Sequence, residues 1–404
     1  MTNDSDNSRP GPLAGLRILE LGNYIAAPTA GRMLADFGAE VIKVERPETG
    51  DELRNWRLYA GSTSMLFRAI NRNKKSIVVD LKCDAGRDIV LDLVKHCDVV
   101  LENFRPGTLE RWGLGPDALN AVNDKIVMVR ISAYGQTGPM AGRPGFAAVA
   151  EAAGGLRELV GDPDRPPSRV GVSIGDSIAG LYGAFGAVMA LFAQNRSTIP
   201  MPLVDRIIDV ALNESVLSMM ESLVPDHLAY GATRHRTGGR MEGIAPSNAY
   251  ECSDGRSVVI AGNGDAIFRR FMTVLGRDDL GRRNDLQDNA GRWAARDELD
   301  QVIGDWTAAR PRDQVLVTLA DVGIPAGPIN TAADICADQQ LLARNMIQTF
   351  DVDTGEDAPK PVGFTGIVPV IGGRSRPIRT VGPDLGEHTA EVLGQLTRRT
   401  AAAR

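Results

Sequence analysis

The run Gly171-Val-Ser-Ile-Gly-Asp176 holds two possible nucleophiles, Ser173 and Asp176. Ser173 sits in the G-x-S-x-G spelling of a serine-hydrolase elbow, where a sharp strand-to-helix turn exposes the hydroxyl. The surroundings match only in part. An apolar helical sequence follows, but Pro166-Pro-Ser-Arg-Val170 is a poor buried strand and no HGGG-type stretch offers an oxyanion hole. The candidate bases are His227, His235 and His388, of which only the last lies near the C-terminus, where an elbow fold wants it. Asp176 has two readings that can hold together. Its carboxylate can cap the free N–H groups of a helix. It can also attack an acyl carbon while N–H groups at the same helix start stabilise the oxyanion.

A second group of residues suggests binding chemistry. Arg46, Arg72, Lys74, Lys75, Lys82, Arg105 and Arg111 lie close together in the chain, mostly beside strand-like segments. They make either a solvated loop surface or the wall of a polyanion site at the carboxyl edge of a sheet. Phosphates favour arginine forks and lysine point charges. The usual nucleotide signatures are missing. The chain has no Gly-Lys dipeptide, hence no Walker A loop. Gly113-Leu-Gly115-Pro-Asp-Ala118 has the dinucleotide spelling but follows Glu110-Arg-Trp112, not a strand, and the first β-α turn, Leu21 to Ala27, lacks the fingerprint. NAD is therefore not expected.

The elements that must position these residues follow a regular alternation. Leu16–Leu21, Glu40–Glu45, Ser76–Asp80, Asp98–Leu101 and Lys125–Ile131 read as strands, with helices at Pro28–Phe37, Ala85–His96 and Asp117–Val122 between them. That order predicts an α/β domain with a mostly parallel sheet, Rossmann-like, covered on both faces. A buried helix is expected from Asp176 to Gln194, where Gly180, Gly183 and Gly186 fall on one face and invite a close neighbour. Asp205–Tyr230 reads as a further long helix, and Ile324-Pro-Ala-Gly-Pro-Ile329 as a linker. Between them a strand at Ser257–Ala261 and helices at Asp265–Leu275, Ala294–Ala308 and Arg312–Val322 predict a smaller α+β domain. The last helix spans about Leu385–Leu396.

Size and composition agree with two globular domains. The 404 residues exceed one ordinary core, and the 43% hydrophobic and 24% charged residues exclude a disordered or coiled-coil chain. A net charge of −6 and only 5% aromatic residues argue against nucleic acid as the partner. The four cysteines are scattered without metal spacing, so no metal is expected. Met1–Pro12 reads as a loose polar tail without a signal peptide, and the apolar stretch Ile178–Ala193 falls short of a membrane span. A cytoplasmic protein without membrane attachment is the expectation.

Taken in order, these motifs resemble the family III coenzyme A-transferases. The resemblance rests on Leu13-Ala-Gly-Leu-Arg-Ile-Leu-Glu-Leu21, Gly38-Ala-Glu-Val-Ile-Lys-Val-Glu-Arg-Pro47 with Gly50-Asp51, and Asn71-Arg-Asn-Lys-Lys-Ser76. It continues through Glu102-Asn-Phe-Arg-Pro-Gly107, Gly154-Gly155, Gly175-Asp176, Ile324-Pro-Ala-Gly-Pro328 and Leu385-Gly-Glu-His-Thr389. The resemblance implies that Asp176 is a nucleophilic aspartate. It attacks an acyl-CoA, plausibly succinyl-CoA, to give a mixed anhydride and CoA thiolate, and the thiolate returns to form an aspartyl-CoA thioester. An acceptor carboxylate opens that thioester to a second anhydride, from which the thiolate takes the new acyl group. Water must be excluded, since either anhydride would hydrolyse.

For coenzyme A the resemblance implies Ala26, Arg46, Lys82, Asn103, Arg105 and Arg111, with Arg143 one residue from a basic position of some members. Gly238 and Gly239 match best the glycine-rich loop that shields the site in some members. It also implies a large domain of residues 13–224 and 331–404, a small domain of 225–330, and an interlocked homodimer acting on acyl-CoA and carboxylic acid substrates. Two positions depart from the pattern. Ala147 stands where members often carry an acid. Phe146 stands where the racemase branch carries a histidine, which removes one partner of two-base proton transfer. Racemase, Ser173 hydrolase and non-catalytic CoA-binding protein remain the alternatives.

Overall fold

A computed structural model describes residues 10–402, apart from 357 and 374. The expected tail lies outside the described residues as far as residue 9. The chain divides into two compact units, one of residues 1–156, 170–221 and 338–404, the other of 157–169 and 222–337. Residues 157–169 were expected in the large domain, but they cluster with the second unit. There Gly161 O accepts from Gly238 N at 3.1 Å and Glu158 pairs with Arg236 at 3.0 Å.

The first unit is built on six strands: β1 (Arg17–Glu20), β2 (Glu40–Glu45), β3 (Lys74–Val78), β4 (Val99–Glu102), β5 (Val127–Ser132) and β6 (Ile207–Ala211). Their order is 3-2-1-4-5-6 and every pairing is parallel, the order of a doubly wound α/β sheet. Successive residues serve opposite faces. Ile18, Val41, Val99 and Val129 enter one core, whereas Leu19, Ile42, Val100 and Met128 enter the other. Burial on both faces puts apolar residues at successive positions, as in Val99-Val-Leu101 and Val127-Met-Val129.

Helix α1 (Ala26–Asp36) follows β1, and α2 (Asp84–Val94) follows β3. Helix α3 (Ile174–Arg196) is longer at both ends than the expected Asp176–Gln194. By length and composition α3 is apolar enough to cross a bilayer, which corrects the expectation that its apolar stretch falls short. Its glycine face, however, lies on the sheet and on α1. A Cβ on Gly180 would stand 2.8 Å from Ala26 O, one on Gly183 3.4 Å from Ala30 Cβ, and one on Gly186 2.6 Å from the Ile208 side chain. The opposite face is open, with Phe185 56% and Phe192 63% exposed.

Two expectations fail. Residues 205–230 are not one helix: β6 occupies Ile207–Ala211, followed by helices Leu212–Leu217 and Leu223–Tyr230. The expected linker contains a strand, Ala326–Pro328, at the edge of the second unit's antiparallel sheet, paired with Ser257–Ala261, whose other side carries Ser247–Glu251. Helices Asp265–Val274, Arg296–Ala308 and Arg312–Asp321 supply this unit with Phe268, Phe271, Ile303, Val315 and Leu319 for its own core.

Candidate active site at the carboxyl edge of the sheet

The order of strands reverses at β1, which has β2 on one side and β4 on the other. In open α/β sheets ligands bind in the crevice outside the carboxyl ends of such strands. The loop from β1 to α1 crosses this point, and side chains from three other segments hold its backbone. Lys43 Nζ donates to Gly22 O at 2.7 Å. Asn103 accepts from Asn23 N and donates to Asn23 O, both at 2.8 Å. Asp51 Oδ1 accepts from Tyr24 N at 3.0 Å, with Tyr24 in the left-handed region at φ 63°. Asn103, expected to bind CoA, thus directs both ends of its amide at the loop.

Under the loop lies a group of buried charges of which the sequence reading singled out Lys74 alone, as a candidate cation for a polyanion. Lys43 meets Glu20 at 3.1 Å and Asp51 at 2.8 Å, and Lys74 meets the other Glu20 oxygen at 2.7 Å, all with side chains fully buried. Lys74 also donates to Pro28 O at 2.8 Å, which ties the first turn of α1 to the same group. Burial alone would lower both lysines. For Lys43 the Asp51 and Glu20 carboxylates outweigh it and the net shift is upward. For Lys74 burial prevails over the attraction of Glu20 and holds the amine down at about 8. Only full burial distinguishes these residues from ordinary strand polar groups, and burial is not written in local sequence.

Asp176 is the third residue of α3, not its N-cap; Ser173 takes the cap position without a side-chain hydrogen bond. Asp176 shares a helix stripe with Gly180 and Gly183, at i+4 and i+7. Gly180 meets Ala26 and Thr29, and Gly183 meets Ala30, so α3 and α1 run in the same direction. The first turn of α3 therefore extends past the start of α1 toward the carboxyl edge of the sheet, and Asp176 on that turn is half-buried. Beneath that turn the fully buried Glu151 accepts from Gly175 N at 3.5 Å.

The expected cations divide into two sets. Arg46 directly follows β2, Lys82 lies in the turn after β3, Arg105 in the turn after β4, and Arg111 ends the one-turn helix Thr108–Arg111. Arg143 lies in the loop after β5. All are on the carboxyl side of the sheet. Arg46 pairs with Glu52 at 2.8 Å, and Arg111 donates to Thr108 Oγ1 at 3.0 Å. The Lys82, Arg105 and Arg143 side chains have no ion pair among the described residues and are exposed. Arg72, Lys74 and Lys75 do not belong with them. They precede or begin β3 at the amino edge, where Arg72 is held by Asp36 at 2.7 Å and Lys75 by Glu40 at 2.9 Å and Glu391 at 2.7 Å.

An aromatic group was also missed. Tyr24 lies 5.7 Å from Trp56 and 5.9 Å from Phe146, ring centre to ring centre. Burial and the nearby Glu52 and Asp51 raise the Tyr24 hydroxyl, so it stays protonated. The candidate bases for Ser173 have other partners: His227 faces Ala232 O at 3.2 Å, His235 faces Glu158 at 3.3 Å, and His388 accepts from Ser76 N at 3.4 Å. Gly238 and Gly239 lie in the second unit, in the turn Thr237–Arg240.

The chain is similar to known proteins over nearly its whole length. Residues 13–389 match the family model described as CoA-transferase family III. The chain is 41% identical over 395 residues to the succinyl-CoA–D-citramalate CoA-transferase of Chloroflexus aurantiacus, covering 97% of this chain and 96% of that one. It is 33% identical to the human succinyl-CoA:glutarate CoA-transferase over 98% of this chain and 88% of that one. A CAIB/BAIF family protein from Brucella suis, of solved structure, superposes with a TM-score of 0.83 at 34% identity, covering 96% of this chain and all of that one. The chain belongs to CoA-transferase family III.

Proposed function

We propose that this CoA-transferase moves CoA from succinyl-CoA to a dicarboxylic acid, through covalent attachment of CoA at Asp176. The choice of donor and acceptor class is supported by the relatives named for succinyl-CoA with citramalate, malate and glutarate. One observation carries the assignment of the nucleophile. Close contact of Gly180 with Ala26 O brings the first turn of α3, which carries Asp176, toward the start of α1, and this supports Asp176 as the nucleophile. First-turn N–H groups of α3 favour the carboxylate as an anion and offer donors to the developing oxyanion. The carboxylate displaces CoA thiolate from the donor, recaptures it as an aspartyl thioester, and releases it to the acceptor through a second anhydride. Lys82, Arg105, Arg111 and Arg143 are exposed cations open to the phosphates of CoA, and Ala26 leaves room for its approach along the loop.

The racemase alternative would need a base at position 146, where Phe146 offers an apolar ring, 66% exposed. A homodimer of cytoplasmic location remains part of the proposal. It draws support from the apolar outer face of α3, where Leu181, Phe185, Met189 and Phe192 are exposed in the single chain. The test uses succinyl-CoA without acceptor, followed by borohydride, which reduces a thioester but spares a carboxylate. Peptide mass spectrometry should find Asp176 alone converted to the alcohol, with transfer lost. Asp176→Asn should be inactive yet folded. Transfer at the parental rate by Asp176→Asn, or reduction elsewhere, would refute the mechanism.

A further inference from the structure

A cavity of about 410 Å³ lies within the second unit. Its wall includes Asp162, Arg236, the Thr237-Gly-Gly-Arg240 turn, Asn248, Trp293 and Arg296. The volume falls in the range of small-molecule sites. The wall is a built one. Arg236 fixes one end of the turn by donating to Glu158 O at 3.3 Å and Asp162 O at 3.4 Å while pairing with the Glu158 carboxylate. Arg240 fixes the other end, with Asp300 at 2.6 Å and Asp297 at 2.8 Å. Asp300 also accepts from Asn248 at 2.8 Å and Tyr250 at 2.5 Å, so that anchor is saturated. Within the turn, Thr237 Oγ1 donates to Arg240 O at 2.8 Å, and Gly238 N donates to Gly161 O. A Cβ on Gly239 would stand 2.5 Å from Asn248 Oδ1, so a side chain there would have to displace the Asn248 amide.

What the wall leaves unspent is specific. Arg296 lies over the ring of Trp293, 4.9 Å from guanidinium carbon to ring centre, and donates to Trp293 O at 3.1 Å. Among the described residues no carboxylate lies within ion-pair distance of it. Gly239 N–H likewise has no acceptor among the described residues. Asp162, 61% exposed on its side chain, has Arg165 at 3.8 Å as its only charged partner among the described residues. The site therefore offers one guanidinium fork, one backbone donor, one carboxylate acceptor and an indole wall. A fork and an N–H group match a carboxylate. A carboxylate acceptor beside them repels a second anion but accepts from a hydroxyl.

We infer that this cavity binds a small hydroxy carboxylic acid, its carboxylate on Arg296 and Gly239 N–H and its hydroxyl on Asp162. The inference concerns the second unit alone and stands or falls apart from the transfer mechanism at Asp176. The test is calorimetric titration of the full chain, without any CoA ester, using L-malate, succinate and inorganic phosphate. L-Malate and succinate share a skeleton and differ in one hydroxyl, so their difference reads the Asp162 contact. L-Malate should bind more tightly than succinate or phosphate. Arg296→Gln should weaken it by about tenfold or more, the loss of a charge-assisted hydrogen bond, and Arg296→Lys should restore part of it. Asp162→Asn should reduce the preference for L-malate over succinate. Absence of L-malate binding at millimolar concentration would overturn the inference. So would equal binding of phosphate, or unchanged affinity in folded Arg296→Gln. Loss of transfer in Asp176→Asn with intact L-malate binding leaves the cavity assignment supported.

Discussion

Lys43 Nζ and Asp51 Oδ2 stand 2.8 Å apart with both side chains fully buried, and each reaches past the other to the loop between β1 and α1. The pair is both a desolvated ion pair and the clamp on Gly22 and Tyr24. Lys43→Met would leave Asp51 and one oxygen of Glu20 without their cation. Breaking a buried pair in this way costs about 3–5 kcal/mol. Urea unfolding should register that loss, and a change below about 1 kcal/mol would mean that water already reaches the pair. Any Lys43→Met protein that remains folded should need more CoA ester for half-saturation, since the loop that leads into Ala26 has lost a tether.

Gly180 and Gly186 provide an internal comparison on one helix. An alanine Cβ at 180 would stand 2.8 Å from the Ala26 carbonyl, which cannot move without α1. At 186 the obstacle is a methyl of Ile208, 2.6 Å away, on β6. Overpacking of this kind costs about 1–3 kcal/mol at either site. Gly180→Ala should in addition lower kcat, because it displaces the first turn of α3 and Asp176 with it. Gly186→Ala should lose stability alone. Equal kcat in the two variants would show that the Gly180 contact does not set the nucleophile.

The first half of the chain was legible because burial on both faces leaves a plain signature: Val99-Val-Leu101 and Val127-Met-Val129 are short apolar runs within their strands. β6 was lost because Ile207-Ile-Asp-Val-Ala211 runs without a breaker into Leu212-Asn-Glu-Ser, and five apolar-rich residues do not distinguish a strand from the start of a helix. Ala326-Gly-Pro328 looked like a linker because glycine and proline weaken strands, yet an edge position tolerates both. The same limit governs the site. Asp176, Arg46, Lys82 and Arg105 could be chosen from motif order and strand ends. The burial of Lys43, Glu20 and Glu151 depends on what packs over them from distant sequence, and Asn103 turns inward to Asn23 for the same reason.

Glu102 ends β4 immediately before Asn103, accepting from Phe104 N at 2.7 Å and pairing with Arg130 at 2.7 Å. Burial raises its carboxyl from 4.5 to about 7, more than Arg130 and the Phe104 N–H lower it. A carboxyl whose folded pKa exceeds its unfolded one stabilises the protein when protonated. That contribution is complete below about 4.5 and disappears as pH rises through about 7. Within this window the group should lower unfolding free energy by up to about 1.4 kcal/mol per pH unit. Glu102→Gln should flatten the profile by that amount relative to the parent in urea unfolding at several pH values. Parallel profiles would show that Glu102 is ionised throughout.

The cations at the carboxyl edge should differ in their worth to CoA according to what they already hold. Arg105 is exposed and has no ion pair among the described residues, whereas Arg46 is engaged by Glu52 at 2.8 Å and by Gly50 O at 2.9 Å. A phosphate reaching Arg105 gains its charge-assisted hydrogen bonds without displacing a partner, so Arg105→Ala should weaken CoA-ester binding by about 1.5–3 kcal/mol. Arg46 must share or leave Glu52 first, so Arg46→Ala should cost less. Neither change should alter stability beyond about 0.5 kcal/mol, because both side chains are open to solvent and exposed pairs contribute little. Added salt should narrow the difference between parent and Arg105→Ala, since screening at about 0.1 M acts over roughly 10 Å. Titration of CoA into the two variants at low and high salt measures both effects. A larger loss in Arg46→Ala than in Arg105→Ala would mean that the Glu52 pair opens to the ligand at little cost and that Arg46 is the principal phosphate contact.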